Sequence, residues 1–397
     1  MEAQARPTPL IGQGNPITQA SSRRRRQFFM ILPCRRNSAP GPPAKKAVAS
    51  DPAALARGRL VRHTVENAHR WRAFRLTDPL FAPVELTPPD IAPHRRGNTG
   101  IDHVTSLSAA EPGPHVVLNA LVHGNELCGA IALDALLRMG LRPARGRLTF
   151  VFANTAAYAG FDPRNPYASR YLDEDFNRLW SPEHLDGRRD SAELRRARIL
   201  RPVYESADLL LDLHSMTADT APLTLCGRTN RGRDLALGLG YPAWVVADGG
   251  HAGGKRLIDY GGFAEPEGSR TAILVECGQH WRAETATVAL ESCLRLLLGL
   301  EMIPPEAIAP PANGPRLRPR SEPQRVVEVT EAVTASSERF RFTAPFVGME
   351  VIGRAGTVIG WDDDHAITTP YDDCVLIMPA RRVKSGQTAV RLGRIVG

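Results

Sequence analysis

Apolar segments that run into polar, chemistry-bearing residues constrain this chain more than any other feature. His115 to Val122 (HVVLNALV) reads as a buried strand and leads into His123-Gly124-Asn125-Glu126. Asp208 to Leu213 (DLLLDL) reads as another strand and stops beside His214, and Thr271 to Glu276 (TAILVE) closes on a carboxylate. Arg147 to Ala153 (RLTFVFA) and Ala243 to Ala247 (AWVVA) complete the set. Glu126 to Met139 repeats apolar residues at three and four, with Gly140 in the helix-stop position, and a second helix is expected from about Ala283 to Leu298. Strands apolar along their whole length, alternating with helices, predict an α/β sheet covered on both faces.

That pattern occupies the middle of the chain. Residues 1–48 lack periodicity, are rich in Pro, Ser, Gly and Arg, and read as a disordered basic extension. They hold nine basic side chains and one acid, which accounts for the entire formal charge of +8; the remaining residues carry 41 of each sign. The high pI therefore describes a tail, and a nucleic-acid or acidic-surface partner would have to use that tail. Met30 is a candidate alternative start. The pair Arg25-Arg26 lacks the apolar run that an export signal needs, because Pro33 and Arg35 interrupt it. Residues 49–303 are expected to form the catalytic domain. A Pro-rich linker at 304–325 follows, and short β-like runs punctuated by Gly and Pro make 326–397 a small β domain. No apolar stretch is long enough to span a bilayer. Six scattered cysteines with no CxxC pair suggest neither a disulfide framework nor a zinc knuckle, so a cytoplasmic protein with reduced thiols fits best.

The chemistry concentrates at the strand ends. His123 and Glu126, three apart at a strand-to-helix junction, can place an imidazole and a carboxylate on one side of a turn, where ligands bind in open α/β sheets. Asp212 and His214, two apart on a strand, share a face, so Asp212 could orient His214. Two His and one Glu suit a catalytic zinc with an open position for water, and another Glu could move that water's proton. Such a parts list suits amide hydrolysis. In Ser169 to Trp180 (SRYLDEDFNRLW), Arg178 can fork onto a substrate carboxylate with Asn177 beside it, or pair with Asp173, Glu174 or Asp175 on a solvated loop.

His123-Gly124-Asn125-Glu126, the Arg170-to-Arg178 block, Asp212-Leu213-His214 and Glu276 occur in the order found in the succinylglutamate desuccinylase/aspartoacylase family, and the chain resembles it over about residues 113–300. The resemblance implies a zinc-carboxypeptidase-like mixed sheet flanked by helices, with a small C-terminal all-β domain. It implies one Zn2+ per chain on His123, Glu126 and His214, and Glu276 as general base and then general acid. Arg170 would stabilise the oxyanion, and Asn177 with Arg178 would hold a substrate carboxylate. It further implies a deacylase for an N-acyl amino acid, a small-molecule substrate similar to succinylglutamate or acetylaspartate, using Glu-assisted attack of zinc-bound water.

Departures accompany the likeness. Asn154-Thr155 stands where the family often has Asn-Pro, and Phe161 to Ala168 is a longer segment before the arginine block. Arg270, Tyr260 and Tyr371 are the nearest candidates for further substrate contacts. His251 and His280 are expected at the rim or in structural roles, and Asp362-Asp363-Asp364 as a charged turn. A zinc carboxypeptidase acting on peptide C-termini would use the same metal residues and is the alternative reading. Binding of nucleic acid or an acidic surface through residues 1–48 is the alternative from a different class.

Overall fold

A computed structural model describes residues 82–251, 253–308, 317 and 323–396. The basic extension at 1–48 with Met30, the first part of the expected catalytic domain at 49–81, and most of the Pro-rich segment at 304–325 lie outside the described residues.

Four parallel strands form the centre: β2 (Glu111–Ala120), β3 (Arg145–Phe152), β4 (Leu209–Met216) and β7 (Thr271–Gln279), in the order β3-β2-β4-β7. β1 (Val104–Ser108) pairs antiparallel outside β3. On the other side, β5 (Leu223–Leu225) pairs antiparallel with β7, and β6 (Trp244–Ala247) continues in parallel. The sheet is thus mixed.

Strand alternation divides its residues between two layers. Leu118, Phe150, Leu211 and Ile273 pack with helices α1 (Leu127–Arg138) and α4 (Glu284–Gly299), through Leu133, Leu136, Val288 and Leu297. Val117, Val151, Leu210 and Leu274 face the opposite layer, where α2 (Ala192–Glu205) presents Leu194, Ala197 and Leu200. Both faces are covered, as strands apolar along their length require. Helix α3 (Asn230–Leu239) starts on a Thr229 side-chain cap and ends at Gly240 in the left-handed region.

Boundaries differ from the sequence reading in ways that matter. The strand expected over His115–Val122 ends at Ala120, because Leu121 turns to φ 61 while fully buried. β4 and β7 run past their expected ends, so His214 and Glu276 lie inside strands, paired directly with each other. α2 escaped a reading by apolar periodicity because its exposed face is arginine-rich; Arg196 and Arg198 donate to the backbone carbonyls of Ala153 and Leu185.

The C-terminal strands continue the same sheet. β8 (Arg325–Thr334) pairs in parallel with β6, and β14 (Thr388–Val396), β13 (Cys374–Ile377) and β10 (Glu350–Ile352) follow antiparallel. β9 (Arg341–Phe342), β11 (Val358–Asp362) and β12 (His365–Thr368) make a separate three-stranded sheet. Among the described residues no helix is long and apolar enough to cross a membrane.

Candidate metal and substrate site

The site is built where β2, β4 and β7 lie side by side. β2 stops at Ala120 and hands the chain to His123-Gly124-Asn125-Glu126 before α1 begins at Leu127. Gly124 makes that turn possible: a Cβ there would sit 2.4 Å from Tyr158 N and 2.5 Å from Ser169 O. Only glycine lets the turn lie this close to the arginine block, where Gly124 N donates to Arg170 O.

Three side chains converge there. His123 Nδ1 is 2.8 Å from Glu126 Oε1, and His214 Nδ1 is 3.0 Å from Glu126 Oε2. All three side chains are buried, and their ligand atoms lie within 4.8 Å of one another. The far nitrogen of each ring rests on a carboxylate: His123 Nε2 on Asp175 at 3.0 Å and His214 Nε2 on Asp212 at 3.0 Å. Nδ1 of each ring is the nitrogen that faces Glu126, while Nε2 faces the outer carboxylate; Arg170 Nη2 also lies 3.0 Å from His123 Nε2. Two inward imidazole nitrogens and a carboxylate, each ring backed by a second carboxylate, fit a divalent metal of the zinc type. Burial opposes ionisation of Glu126, yet the two imidazoles outweigh it and hold its carboxyl well below the usual range.

Support extends inward. Asp212 Oδ1 accepts from Asn119 Nδ2 at 2.7 Å, and Tyr204 Oη donates to Asn119 Oδ1 at 2.8 Å. Helix α2 is thereby connected to His214 through a buried polar chain. Glu276 stands beside His214 in register; its Oε2 is buried with no hydrogen-bond partner. Burial, before any charge, pushes its carboxyl up to about 8, against the pull of His214. A buried orphan oxygen beside three converging side chains of metal-ligand type marks a position that suits a further polar atom.

The arginine block is pinned from below by a residue that the sequence did not single out. Glu193, fully buried at the start of α2, accepts from the backbone N–H of Leu172, Asp173 and Glu174 at 2.7, 3.0 and 3.3 Å, and from Asn154 Nδ2 at 3.0 Å. Asn154, the residue before the Thr155 that stands where the family often has Pro, therefore joins this same knot. Nothing in the spacing around Glu193 distinguishes it from an ordinary first-turn acid. Arg170 reaches Glu126 Oε1 at 3.3 Å and Asp175 Oδ2 at 3.2 Å, with its side chain 32% exposed. Asn177 is buried and its Oδ1 accepts from Leu257 N at 2.8 Å. Half-buried Arg178 donates to Asn177 O at 2.7 Å. Among the described residues it makes no ion pair with Asp173, Glu174 or Asp175, which are engaged elsewhere.

The remaining candidates take other places. Arg270 donates to Ala207 O and Tyr204 O and lies over Phe263, Tyr260 bonds Glu205, and Tyr371 bonds Thr330 under Arg394. These contacts commit all three to the framework. His280 is fully buried rather than at the rim, bonded to Ser215 Oγ and Thr217 Oγ1. Asp362 caps Ser336 and Ser337 through both oxygens, as a charged turn should.

Comparison with known proteins agrees with this construction. Residues 112–249 match the model of the succinylglutamate desuccinylase/aspartoacylase catalytic domain. A succinylglutamate desuccinylase of Pseudomonas aeruginosa is 32% identical over 125 residues, 29% of this chain. The match spans 35% of that relative, about a third of its length. A succinylglutamate desuccinylase structure from Vibrio parahaemolyticus superposes with a TM-score of 0.55 at 17% identity, covering 75% of this chain and 87% of the other. A succinylglutamate desuccinylase/aspartoacylase from Rhodobacter sphaeroides gives 0.53 at 20% identity, over 74% and 89%. Residues 112–249 thus resemble the succinylglutamate desuccinylase/aspartoacylase catalytic domain, and the chain shares the fold of those structures.

Proposed function

We propose that this chain hydrolyses the amide bond of an N-acyl amino acid, with one zinc ion held by His123, Glu126 and His214. The observation that carries this reading is the convergence of both Nδ1 atoms and the Glu126 carboxylate beside the unpartnered Glu276 oxygen. When bound, zinc would supply a Lewis acid that polarises the scissile carbonyl and makes water easier to deprotonate. Glu276 would take a proton from the attacking water and return it to the departing amine nitrogen; a carboxyl pushed up to about 8 is suited to both transfers near neutrality. Arg170, part-exposed and braced by Asp175, supplies a cation toward the developing oxyanion. Arg178, with the Asn177 amide fixed at one end by Leu257, receives a substrate carboxylate.

The substrate class rests on the name of the Pseudomonas relative, a succinylglutamate desuccinylase. Location in the cytoplasm is supported by five cysteines among the described residues, all free and buried. The test is amine release by the zinc-loaded protein from acetyl, succinyl and longer acyl derivatives of acidic, neutral and basic amino acids, alongside short peptides. Release that a chelator abolishes, with peptides untouched, is the expected result. Release confined to peptide C-termini would replace the deacylase with a carboxypeptidase.

A further inference from the structure

The segment after β6 holds an imbalance of buried charge. Arg256 donates to both oxygens of Asp248, at 2.9 and 2.6 Å, and to both oxygens of Asp259, at 2.7 and 3.0 Å. Arg256 is 5% exposed and Asp248 3%. One guanidinium therefore engages both carboxylates. Arg391, on β14, comes next: its side chain is 12% exposed, and its Nε stands 4.0 Å from Asp248 Oδ2, too far for a hydrogen bond. Arg178 lies against the same segment. A Cβ on Gly254 would fall 2.1 Å from Arg178 O, and one on Gly253 would fall 3.8 Å from Arg178 Cδ and 3.1 Å from His251 Nδ1. Leu257, next to Arg256, is the residue that holds Asn177.

Three guanidiniums, from three distant parts of the chain, thus border this segment; Arg256 hydrogen-bonds both of its carboxylates, and Asp175, the carboxylate acting on Arg178, is already engaged by His123 and Arg170. A buried cation in excess of its counter-ions is costly unless an anion joins it. We infer that Arg391 is a specificity-determining residue that closes with Arg178 on the substrate carboxylate, while Asp248 is its weak resting partner in the free protein. Burial first, then the charges of Arg170, Arg256 and Arg391, lower the Arg178 pKa against the pull of Asp175, as expected of cations facing one another across a shared space. His251, on the same segment, is pushed down to about 4 by burial and then by Arg178, Arg391 and Arg256, so it adds no charge near neutrality.

This inference rests on the proposed acyl-amino-acid reading for its ligand, and its test separates the two. The full chain, zinc-loaded, would be titrated calorimetrically with N-acetylglutamate and with its neutral diamide. The unaltered protein should prefer the acid. Arg391→Gln should weaken binding of the acid on the order of 10- to 100-fold and leave the diamide unchanged, as loss of a charge-assisted hydrogen bond predicts. Arg391→Lys should restore part of the preference, and provides the reading if the glutamine variant fails to fold. An acid-to-diamide ratio identical in the unaltered and variant proteins overturns the inference, as does a lack of preference in the unaltered protein. A ratio that falls in the variant while no substrate is hydrolysed keeps the clamp and removes the hydrolase. Hydrolysis with an unmoved ratio does the reverse.

Discussion

Asp212 Oδ2 lies 3.0 Å from His214 Nε2 on the same face of β4, and that contact decides which nitrogen of the ring points inward. Replacing Asp212 with Ala frees the ring to turn and removes the charge that raises its basicity. Zinc affinity should fall on the order of 10- to 100-fold. Competition against a chelating dye measures this directly, and unchanged affinity would separate Asp212 from the metal site.

Glu276→Gln keeps the size of the side chain and removes its capacity to carry a proton. The variant should hold zinc normally and lose turnover by about 10²- to 10⁴-fold. Metal content and amine release, measured on the same preparation, check it. Full turnover would take Glu276 out of the chemistry.

Arg178→Ala should raise KM for a substrate with a free carboxylate far more than for its methyl ester, by on the order of 10- to 100-fold. Equal effects on acid and ester would show that Arg178 does not meet the carboxylate.

Glu193→Ala leaves three backbone N–H groups and the Asn154 amide without their acceptor. Loss of stability of about 3 kcal/mol is expected, together with faster amide exchange at residues 172–174. Denaturant melts and hydrogen exchange test both parts. Gly124→Ala forces a methyl group into backbone atoms 2.4–2.5 Å away, and should cost about 4 kcal/mol or prevent folding. A melt like that of the unaltered chain would contradict the tight turn.

The central strands and the His123, Glu126 and His214 cluster could be read from the sequence because both signals are local. Leu209–Met216 and Thr271–Gln279 are apolar along their length, and His123 lies three residues from Glu126. The support of the site was not local. Asp175 reaches His123 across 52 residues, and Asn119 reaches Asp212 across 93, through pairings that exist only once the sheet is assembled. Glu193 was hidden for the same reason, since its partners are backbone groups and leave no trace in residue type. Arg270 and Tyr260 attracted attention by lying upstream of Glu276. Chain proximity misled there, because their side chains turn to Tyr204 and Glu205 instead.

The parallel pairing of β6 with β8 has a consequence for synthesis. On the ribosome, His123, Glu126, His214 and the arginine block emerge well before residues 325–396. Until those arrive, Val245 and Val246 sit on a bare edge with unpaired backbone groups, a surface that invites pairing with other chains. If Arg391 completes the proposed anion clamp, the nascent chain can assemble the His123, Glu126 and His214 cluster early but cannot form the clamp until β14 is laid down. Late completion would keep half-made chains from working, and it makes the interval before β8 docks the moment of greatest exposure to aggregation.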